Sequence, residues 1–177
     1  MVANTTKWRF PQFHPHYPQW EKSKEGDVSM PRGLKGQFNH SIDAKGRLII
    51  PTKLRDQLGT SFVLTKGLDG CLYGYPNEEW EEFEANLRKL PNSNKQARKV
   101  KDYFVAKAID CELDSQGRIV IPQYLRDAAN LTKDVAIVGN IEKIQIWDLD
   151  TWNERNASIE EDMDDIVDSL SDLGIDF

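Results

Sequence analysis

Short stretches in which apolar and polar residues alternate predict β-strands in both halves of this chain. Gln37–Ile42 alternates in part, as a half-buried strand does, and Arg47–Ile50 is rich in β-branched residues. Pro51 ends the second of these strands because proline has no N–H to donate to a sheet. The later apolar runs predict four further strands, at Phe62–Thr65, Cys71–Tyr75, Val135–Val138 and Ile144–Trp147.

Helical spacing replaces this alternation between the two groups of strands. Apolar residues at positions 80, 83, 87 and 90 form one face of a helix that Asn77 is predicted to cap and Pro91 to follow. A second helix is predicted at about 94–106, and four basic residues lie on its other face. The pattern therefore predicts a helical hairpin that links the two halves.

A shorter helix is predicted after the second strand of each half. Thr52 is suited to cap the first, Lys53–Leu58. The second spans Gln123–Ala129. Gly59 and Asn130 follow the two helices, and both tolerate the left-handed conformation that commonly ends a helix.

The two halves share a repeated unit of 16 residues. Residues 41–56 correspond to residues 112–127 at a constant shift of 71 positions, and eight of the 16 positions are identical. The identical pairs are Asp43/Asp114, Gly46/Gly117, Arg47/Arg118, Ile50/Ile121, Pro51/Pro122, Leu54/Leu125, Arg55/Arg126 and Asp56/Asp127. Such a repeat predicts two pseudo-symmetric copies that bury a face neither copy can bury alone.

Composition adds limits on the class of protein. The 177 residues suffice for one domain or two small ones, and no apolar run approaches the roughly 20 residues that span a bilayer. The net charge of −6 is unevenly spread, because residues 31–101 carry 13 basic and eight acidic side chains whereas residues 157–177 carry eight acidic and no basic ones. An acidic total therefore does not exclude a polyanionic partner. Cys71 and Cys111 lie outside any paired motif and are expected to be buried free thiols.

The two ends of the chain differ from the repeats. Residues 1–30 are rich in proline and aromatic residues without periodicity and are predicted to be a flexible extension; a start at Met30 and a docking peptide are the alternatives. Residues 157–177 carry apolar residues at helical spacing on an acidic segment, and Ser158–Glu161 has the form of a capping box. We expect this tail to be solvated and disordered, and the alternatives are docking to a protein partner and occupation of the chain's own basic surface.

The turn at the centre of each repeat combines three residue types. Asp43 and Asp114 are suited to accept hydrogen bonds from nearby backbone N–H groups, and Gly46 and Gly117 accept a positive φ. Turn chemistry explains these four residues. It does not require the arginine that directly follows each glycine.

The residues around these turns resemble the MraZ family, the bacterial regulators of the division and cell-wall gene cluster. The resemblance begins at Gly36–Arg47, continues through Phe62–Leu72 and Tyr75–Pro76, resumes at Glu112–Arg118 and Gly139–Trp147, and covers about residues 33–155. MraZ proteins belong to the AbrB-like group of swapped-hairpin β-barrels. The resemblance implies an α+β fold in which two internal pseudo-repeats form one AbrB-like swapped-hairpin β-barrel, with a helical hairpin between them.

The resemblance also implies a function and a site. Members of the family assemble into a homo-oligomeric ring of several protomers that binds short direct repeats in promoter DNA. The family's D-x-x-x-R element falls on Asp43 to Arg47 and on Asp114 to Arg118, which implies that the turns supply DNA-facing arginines. Family members usually begin near Met30, and the acidic tail after about residue 156 lies beyond the usual pattern.

Arg47 and Arg118 are therefore the first candidates for contact with DNA. Arginine presents five donors in a rigid fork that matches phosphates and the edge of guanine, and a β-hairpin is slim enough to enter a major groove. Lys45 and Gln116 occupy equivalent positions in the two turns, where the lysine would add charge toward phosphates and the glutamine would hydrogen-bond a base or a phosphate. This difference predicts that the first repeat binds more electrostatically. The alternative is a hairpin with a purely structural role.

Other groups point less directly to a function. Arg55 and Arg126 lie on the short helices, where an intramolecular ion pair with the adjacent aspartate or a helix cap is expected rather than DNA contact. The basic helix at 95–101 is suited equally to contacts with the DNA backbone and to packing between subunits. His40 and Ser41 are consecutive strand residues and point to opposite faces, so we expect no hydrolase chemistry.

The sequence thus predicts four segments. They are a flexible extension (1–30), a first AbrB-like repeat plus the helical hairpin (31–101), a second repeat (102–156) and an acidic amphipathic tail (157–177). We expect a cytoplasmic, nucleoid-associated transcriptional regulator that binds double-stranded promoter DNA, with no enzymatic activity, cofactor, metal or membrane. The rival interpretation is an oligomeric protein-interaction module without direct DNA binding.

Overall fold

A computed structural model describes residues 33–171 of the chain. The predicted extension at residues 1–30 and the last six residues of the acidic tail lie outside the described residues. The eight strands are β1 (Leu34–Ser41), β2 (Arg47–Ile49), β3 (Ser61–Lys66), β4 (Leu72–Pro76), β5 (Ile109–Glu112), β6 (Arg118–Val120), β7 (Asp134–Ile141) and β8 (Lys143–Asp148). The five helices are α1 (Thr52–Leu58), α2 (Asn77–Lys89), α3 (Lys95–Val105), α4 (Gln123–Ala128) and α5 (Leu149–Ser171).

The two repeats exchange their first strands. β1 of the first repeat pairs with β7 of the second over its whole length, from Leu34 opposite Ile141 to Ser41 opposite Asp134. In return, β5 of the second repeat pairs with β3 of the first. β4 and β8, which are equivalent in the two repeats, pair with each other at the centre of a six-stranded antiparallel sheet ordered β1-β7-β8-β4-β3-β5. This exchange confirms the predicted α+β fold built from two pseudo-repeats.

The remaining strands, β2 and β6, form a separate two-stranded antiparallel ribbon. The family resemblance had implied a barrel. In the described residues, however, hydrogen bonding between strands does not continue around a closed barrel. Each ribbon strand is only three residues long and leads through one residue into a proline, Pro51 or Pro122, which cannot extend a ladder. The ribbon and the sheet nevertheless share one core.

That core draws apolar residues from both repeats. Leu48, Ile50, Ile119 and Ile121 on or beside the ribbon are essentially inaccessible to solvent and pack into the same cluster as Phe62 on the sheet. A smaller cluster surrounds the two buried tryptophans, Trp147 and Trp152, and includes Cys71 and Ala136. Because the main core is common to both repeats, neither repeat encloses a core of its own.

The helix boundaries follow the prediction at some ends and not at others. The helix predicted at about 94–106 is present as α3, and Asn94 caps it by accepting hydrogen bonds from the N–H groups of Gln96 and Ala97. Gly59 and Asn130 have positive φ, also as expected. Thr52 is not a cap, because α1 begins at this residue and its first hydrogen bonds go to the carbonyl of Pro51.

Asn77 does not cap α2 either. Pro76 precedes the first turn, and Asn77 instead donates from its side-chain amide to the hydroxyl of Ser61, 3.0 Å away. The residue therefore ties the start of α2 to β3. A local preference for capping is replaced here by a tertiary hydrogen bond.

The last helix is longer than the sequence indicates. α5 runs without interruption from Leu149 to Ser171, so the helix start predicted at Ser158 is wrong, and residues 157–171 are helical rather than disordered. The carboxylate of Asp148 accepts from the N–H groups of Asp150 and Thr151 and thereby caps the helix where β8 ends. Met163 and Ile166 remain exposed on its acidic half. No helix within residues 33–171 combines the length and the apolarity that crossing a membrane requires.

Candidate nucleic-acid interface

The first repeated turn is closed by its own aspartate. One carboxylate oxygen of Asp43 accepts from the N–H groups of Lys45 and Arg47, both at 2.9 Å, and the N–H of Gly46 donates to the Asp43 carbonyl at 2.9 Å. The second carboxylate oxygen accepts from Nε of Arg47 at 2.6 Å. The aspartate therefore shapes the backbone and orients the guanidinium group at the same time.

The second turn repeats this arrangement. Asp114 accepts from the N–H groups of Gln116 and Arg118, both at 2.9 Å, and its other oxygen lies 2.8 Å from Nε and 2.7 Å from Nη2 of Arg118. Gly117 has a φ of 73° and its counterpart Gly46 a φ of 77°. Both glycines thus have the positive φ that the turn requires and that glycine adopts without steric cost.

Hydrogen bonds hold the aspartates in their charged form. The N–H of Arg47 lowers the pKa of Asp43, and the guanidinium group of Arg118 lowers the pKa of Asp114 to about 2. Each aspartate–arginine pair is therefore ionised at neutral pH and formally neutral as a unit. Lys45 is exposed and has no ion-pair partner among residues 33–171, so it gives the first turn its net positive charge. Gln116 is equally exposed and uncharged.

The ribbon brings the two arginines to one face of the protein. Arg47 lies opposite Val120, and Arg118 lies opposite Ile49. The middle residues of the two strands, Leu48 and Ile119, are buried. Because side chains alternate between the two faces of a ribbon, the residues on either side of them point outward. The outward face thus consists of Arg47 and Arg118, whose side chains are 33% and 25% accessible, and of the exposed β-branched residues Ile49 and Val120. All eight predicted site residues lie on this ribbon or in the turns that lead into it.

The duplicated arginines of the short helices, Arg55 and Arg126, make contacts that differ from those predicted. Neither Arg55 nor Arg126 forms an ion pair with its neighbouring aspartate among the described residues. Arg55 instead donates to the carbonyl of Ile50 at 2.7 Å, and Arg126 donates to the carbonyl of Ile121. Both arginines recur at the same shift of 71 positions as the turns, and this repetition was the signal in the sequence that they and the turns act together.

The basic helix α3 uses part of its charge internally. Lys101 donates to the carbonyl of Leu90 at 2.9 Å and to the side chain of Asn92 at 2.6 Å, and Arg98 donates to the Asn92 carbonyl at 2.7 Å. These two residues close the loop between α2 and α3. Within the part of the chain that the structure describes, no group of three or more His, Cys, Asp and Glu residues is placed to hold a metal ion.

The fold and the ribbon define a class of protein: a two-repeat AbrB-like domain whose paired turns present arginines on one face. Comparison with known families agrees. Residues 34–103 and 104–172 each match the model of the family described as "MraZ protein" and "antitoxin-like". The chain belongs to the MraZ family.

Individual relatives support the same family assignment. The chain is 51% identical over 142 residues to the transcriptional regulator MraZ of Lachnoclostridium phytofermentans, which covers 80% of this chain and 98% of the relative. It is 47% identical to the transcriptional regulator MraZ of Thermoanaerobacter sp., over 80% of this chain and 99% of the relative. It is 46% identical to the transcriptional regulator MraZ of Clostridium beijerinckii, over 79% of this chain and 98% of the relative.

These comparisons confirm one expectation and correct another. The family consists of transcriptional regulators, so the protein acts in transcription regulation and is not an enzyme. The expectation that the tail lies beyond the family pattern is wrong, because the second match extends to residue 172. The described part of α5 therefore belongs to the family domain.

Proposed function

We propose that this protein is a sequence-specific DNA-binding regulator of the bacterial division and cell-wall gene cluster. In this proposal, a homo-oligomeric ring of several protomers binds direct repeats in promoter DNA, in the cytoplasm and at the nucleoid. Arg47, Arg118, Lys45 and Gln116 contact the duplex. The aspartates and glycines of the two turns hold them in place.

One observation carries the proposal: two equivalent Asp–Arg turns present their arginines on the outward face of one two-stranded ribbon. A two-stranded ribbon fits the major groove, where arginine recognises the O6 and N7 atoms of guanine. Nε of Arg47 is bound to Asp43, which leaves the Nη donors of this fork for an acceptor on DNA. An arginine fixed by its own turn loses little freedom on binding.

The geometry of one protomer supports the proposed oligomerisation. A single ribbon presents one pair of turns and contacts one short stretch of DNA. Recognition of several direct repeats therefore requires several ribbons, and linking them raises the affinity for repeated sites without any new contact.

The test is a double variant, Arg47→Ala/Arg118→Ala, in a mobility-shift or anisotropy assay on the promoter upstream of this gene. If each arginine contributes about 1–3 kcal/mol of base recognition, the double variant binds at least about 30-fold more weakly. Arg88→Ala is the matched control, because Arg88 also forms an exposed ion pair with a carboxylate four residues away, but on α2. Oligomer size, measured by light scattering, is expected to stay unchanged.

Normal promoter binding by the double variant would show that these arginines do not contact DNA. The rival interpretation, an interaction module without DNA binding, predicts that even the wild-type protein lacks salt-sensitive binding to duplex DNA. A footprint on the same promoter would then add whether the protected sites are direct repeats and how they are spaced.

A further inference from the structure

Each turn is in contact with an arginine from the opposite repeat. The guanidinium group of Arg55, in the first repeat, occupies the space that a side chain at Gly117 would fill, so a Cβ there would overlap it. The guanidinium group of Arg126, in the second repeat, occupies the corresponding space at Gly46. Both glycines are buried, and both arginines are partly buried. The two turns are therefore packed against helices that belong to the other half of the chain.

A closed set of hydrogen bonds holds the first of these contacts. Ile50 donates its N–H to the carbonyl of Gly117 at 2.9 Å, and its own carbonyl accepts from Nε of Arg55 at 2.7 Å. Arg55 then packs on the same Gly117 and reaches the carbonyl of Gln116 at 3.5 Å. Ile50 thus binds both the second turn, through its N–H, and Arg55, through its carbonyl.

The second contact has the equivalent backbone bond and an equivalent bond from arginine to carbonyl, but among the described residues Arg126 reaches the first turn by packing on Gly46 and not by a hydrogen bond. Ile121 donates its N–H to the carbonyl of Gly46 at 2.8 Å, and its carbonyl accepts from Nη1 of Arg126. Nη2 of Arg126 is bound to the side chain of Gln123 on the same helix. The exchange is therefore reciprocal, and the first turn depends on the second repeat as the second turn depends on the first.

This arrangement accounts for features that turn chemistry alone leaves unexplained. Asp43 and Asp114 fix the conformation inside each turn, but neither fixes the turn relative to the rest of the protein. A glycine is required at the contact for two reasons, the positive φ and the close approach of a guanidinium group. A planar group with several donors fits against a glycine and binds carbonyls at the same time.

We infer that Arg55 and Arg126 are positioning residues, each of which holds the DNA-facing turn of the opposite repeat. Arg126 acts on the turn that carries Arg47, and Arg55 acts on the turn that carries Arg118. The consequence for DNA binding rests on the function proposed above. The crossed mechanical effect does not, and it is measured without DNA.

The first experiment is hydrogen exchange on the full-length protein. The N–H groups of residues 45–47 and 116–118 that close the two turns are the probes. Arg126→Ala is expected to speed exchange in residues 43–47 and to leave residues 114–118 unchanged, and Arg55→Ala is expected to do the reverse. Arg126→Lys and Arg55→Lys, which keep the charge but lose the fork, are expected to show the same crossed pattern more weakly.

Uniform acceleration in both turns, or acceleration only in the variant's own repeat, would overturn the inference, because a general loss of stability has no crossed pattern. The lysine variants keep this test available if an alanine variant does not fold. Arg88→Ala on α2 is the control and should change neither turn.

The second experiment is a double-mutant cycle for duplex binding. Arg126→Ala is expected to weaken binding about three- to tenfold by leaving Arg47 less ordered before binding. In the Arg47→Ala background the same substitution should have almost no further effect, whereas in the Arg118→Ala background it should keep its full effect. Full additivity with Arg47→Ala would indicate direct DNA contact by Arg126 and contradict a positioning role. If the wild-type protein does not bind duplex DNA, the proposed function fails and the exchange experiment still decides whether each arginine positions the opposite turn.

Discussion

Replacing Lys45 by glutamine tests whether the two turns differ as their charges indicate. The substitution gives the first turn the residue that the second turn carries at position 116. Only the backbone N–H of residue 45 takes part in closing the turn, through a 2.9 Å bond to Asp43, and the equivalent bond of Gln116 has the same length. The variant is therefore expected to keep the fold of the turn and to lose one exposed positive charge.

The magnitude follows from counterion release. Each phosphate contact contributes about −0.9 to the slope of log affinity against log salt, so Lys45→Gln should make the slope shallower by about 0.9 for each turn bound. Between 50 and 200 mM salt, wild-type affinity then falls roughly 3.5-fold more than that of the variant for each such contact. Anisotropy titrations of promoter DNA over this salt range give both slopes directly.

Two further variants complete this test. Gln116→Lys should steepen the slope by a similar amount, and the double swap should restore the wild-type slope. Lys89→Gln is the matched control, because it removes the same charge from an exposed residue of α2. An unchanged slope for Lys45→Gln, or an equal change for Lys89→Gln, would refute the idea that the first turn contacts phosphates through this lysine.

Two other predictions concern the tail and the thiols. We propose that the acidic half of α5 competes with DNA for the basic surface; truncation after Asn156, which removes six more acidic residues than a cut after Ser171, should then tighten duplex binding severalfold relative to the chain cut after Ser171. Equal affinities would eliminate this competition and leave a protein partner as the proposed role of the exposed apolar residues on α5. Burial raises the pKa of Cys71 and of Cys111 to about 12, so both thiols stay protonated near pH 8 and should react with a thiol reagent only after unfolding. Because these pKa values are raised on folding, the associated stability is present below the ordinary thiol pKa and is lost as the pH rises toward 12. Rapid stoichiometric labelling of the native protein at pH 8 would contradict this burial.

Local chemistry was sufficient to predict the turns of the candidate site. An aspartate that accepts from the next N–H groups and a glycine that takes positive φ act within five residues, so Asp43–Arg47 and Asp114–Arg118 fold as their sequences indicate. The positive φ of Asn130 is predictable for the same reason. These features depend on interactions between residues that are close in the sequence, so the sequence is sufficient to predict them.

The ends of several elements were decided by tertiary contacts. Asn77 and Ser158 both have the chemistry of a cap, yet Asn77 bonds to Ser61 and α5 continues through Ser158. α5 begins instead at the end of β8, where the buried Asp148 accepts from the first N–H groups of the helix and from Thr132. A capping sequence is used only where the fold leaves N–H groups to be capped.

The repeat, its two turns and the arginine in each turn can be read from the amino-acid sequence alone. The pairing of β1 with β7 and of β5 with β3, the shared face of Arg47 and Arg118, and the contacts of Arg55 and Arg126 with the opposite turns are known only from the folded protein. The cause of this difference is distance along the chain. Pairing of strands about 70 residues apart is selected by burial of a core that both repeats share, and no local pattern specifies which strand will be the partner.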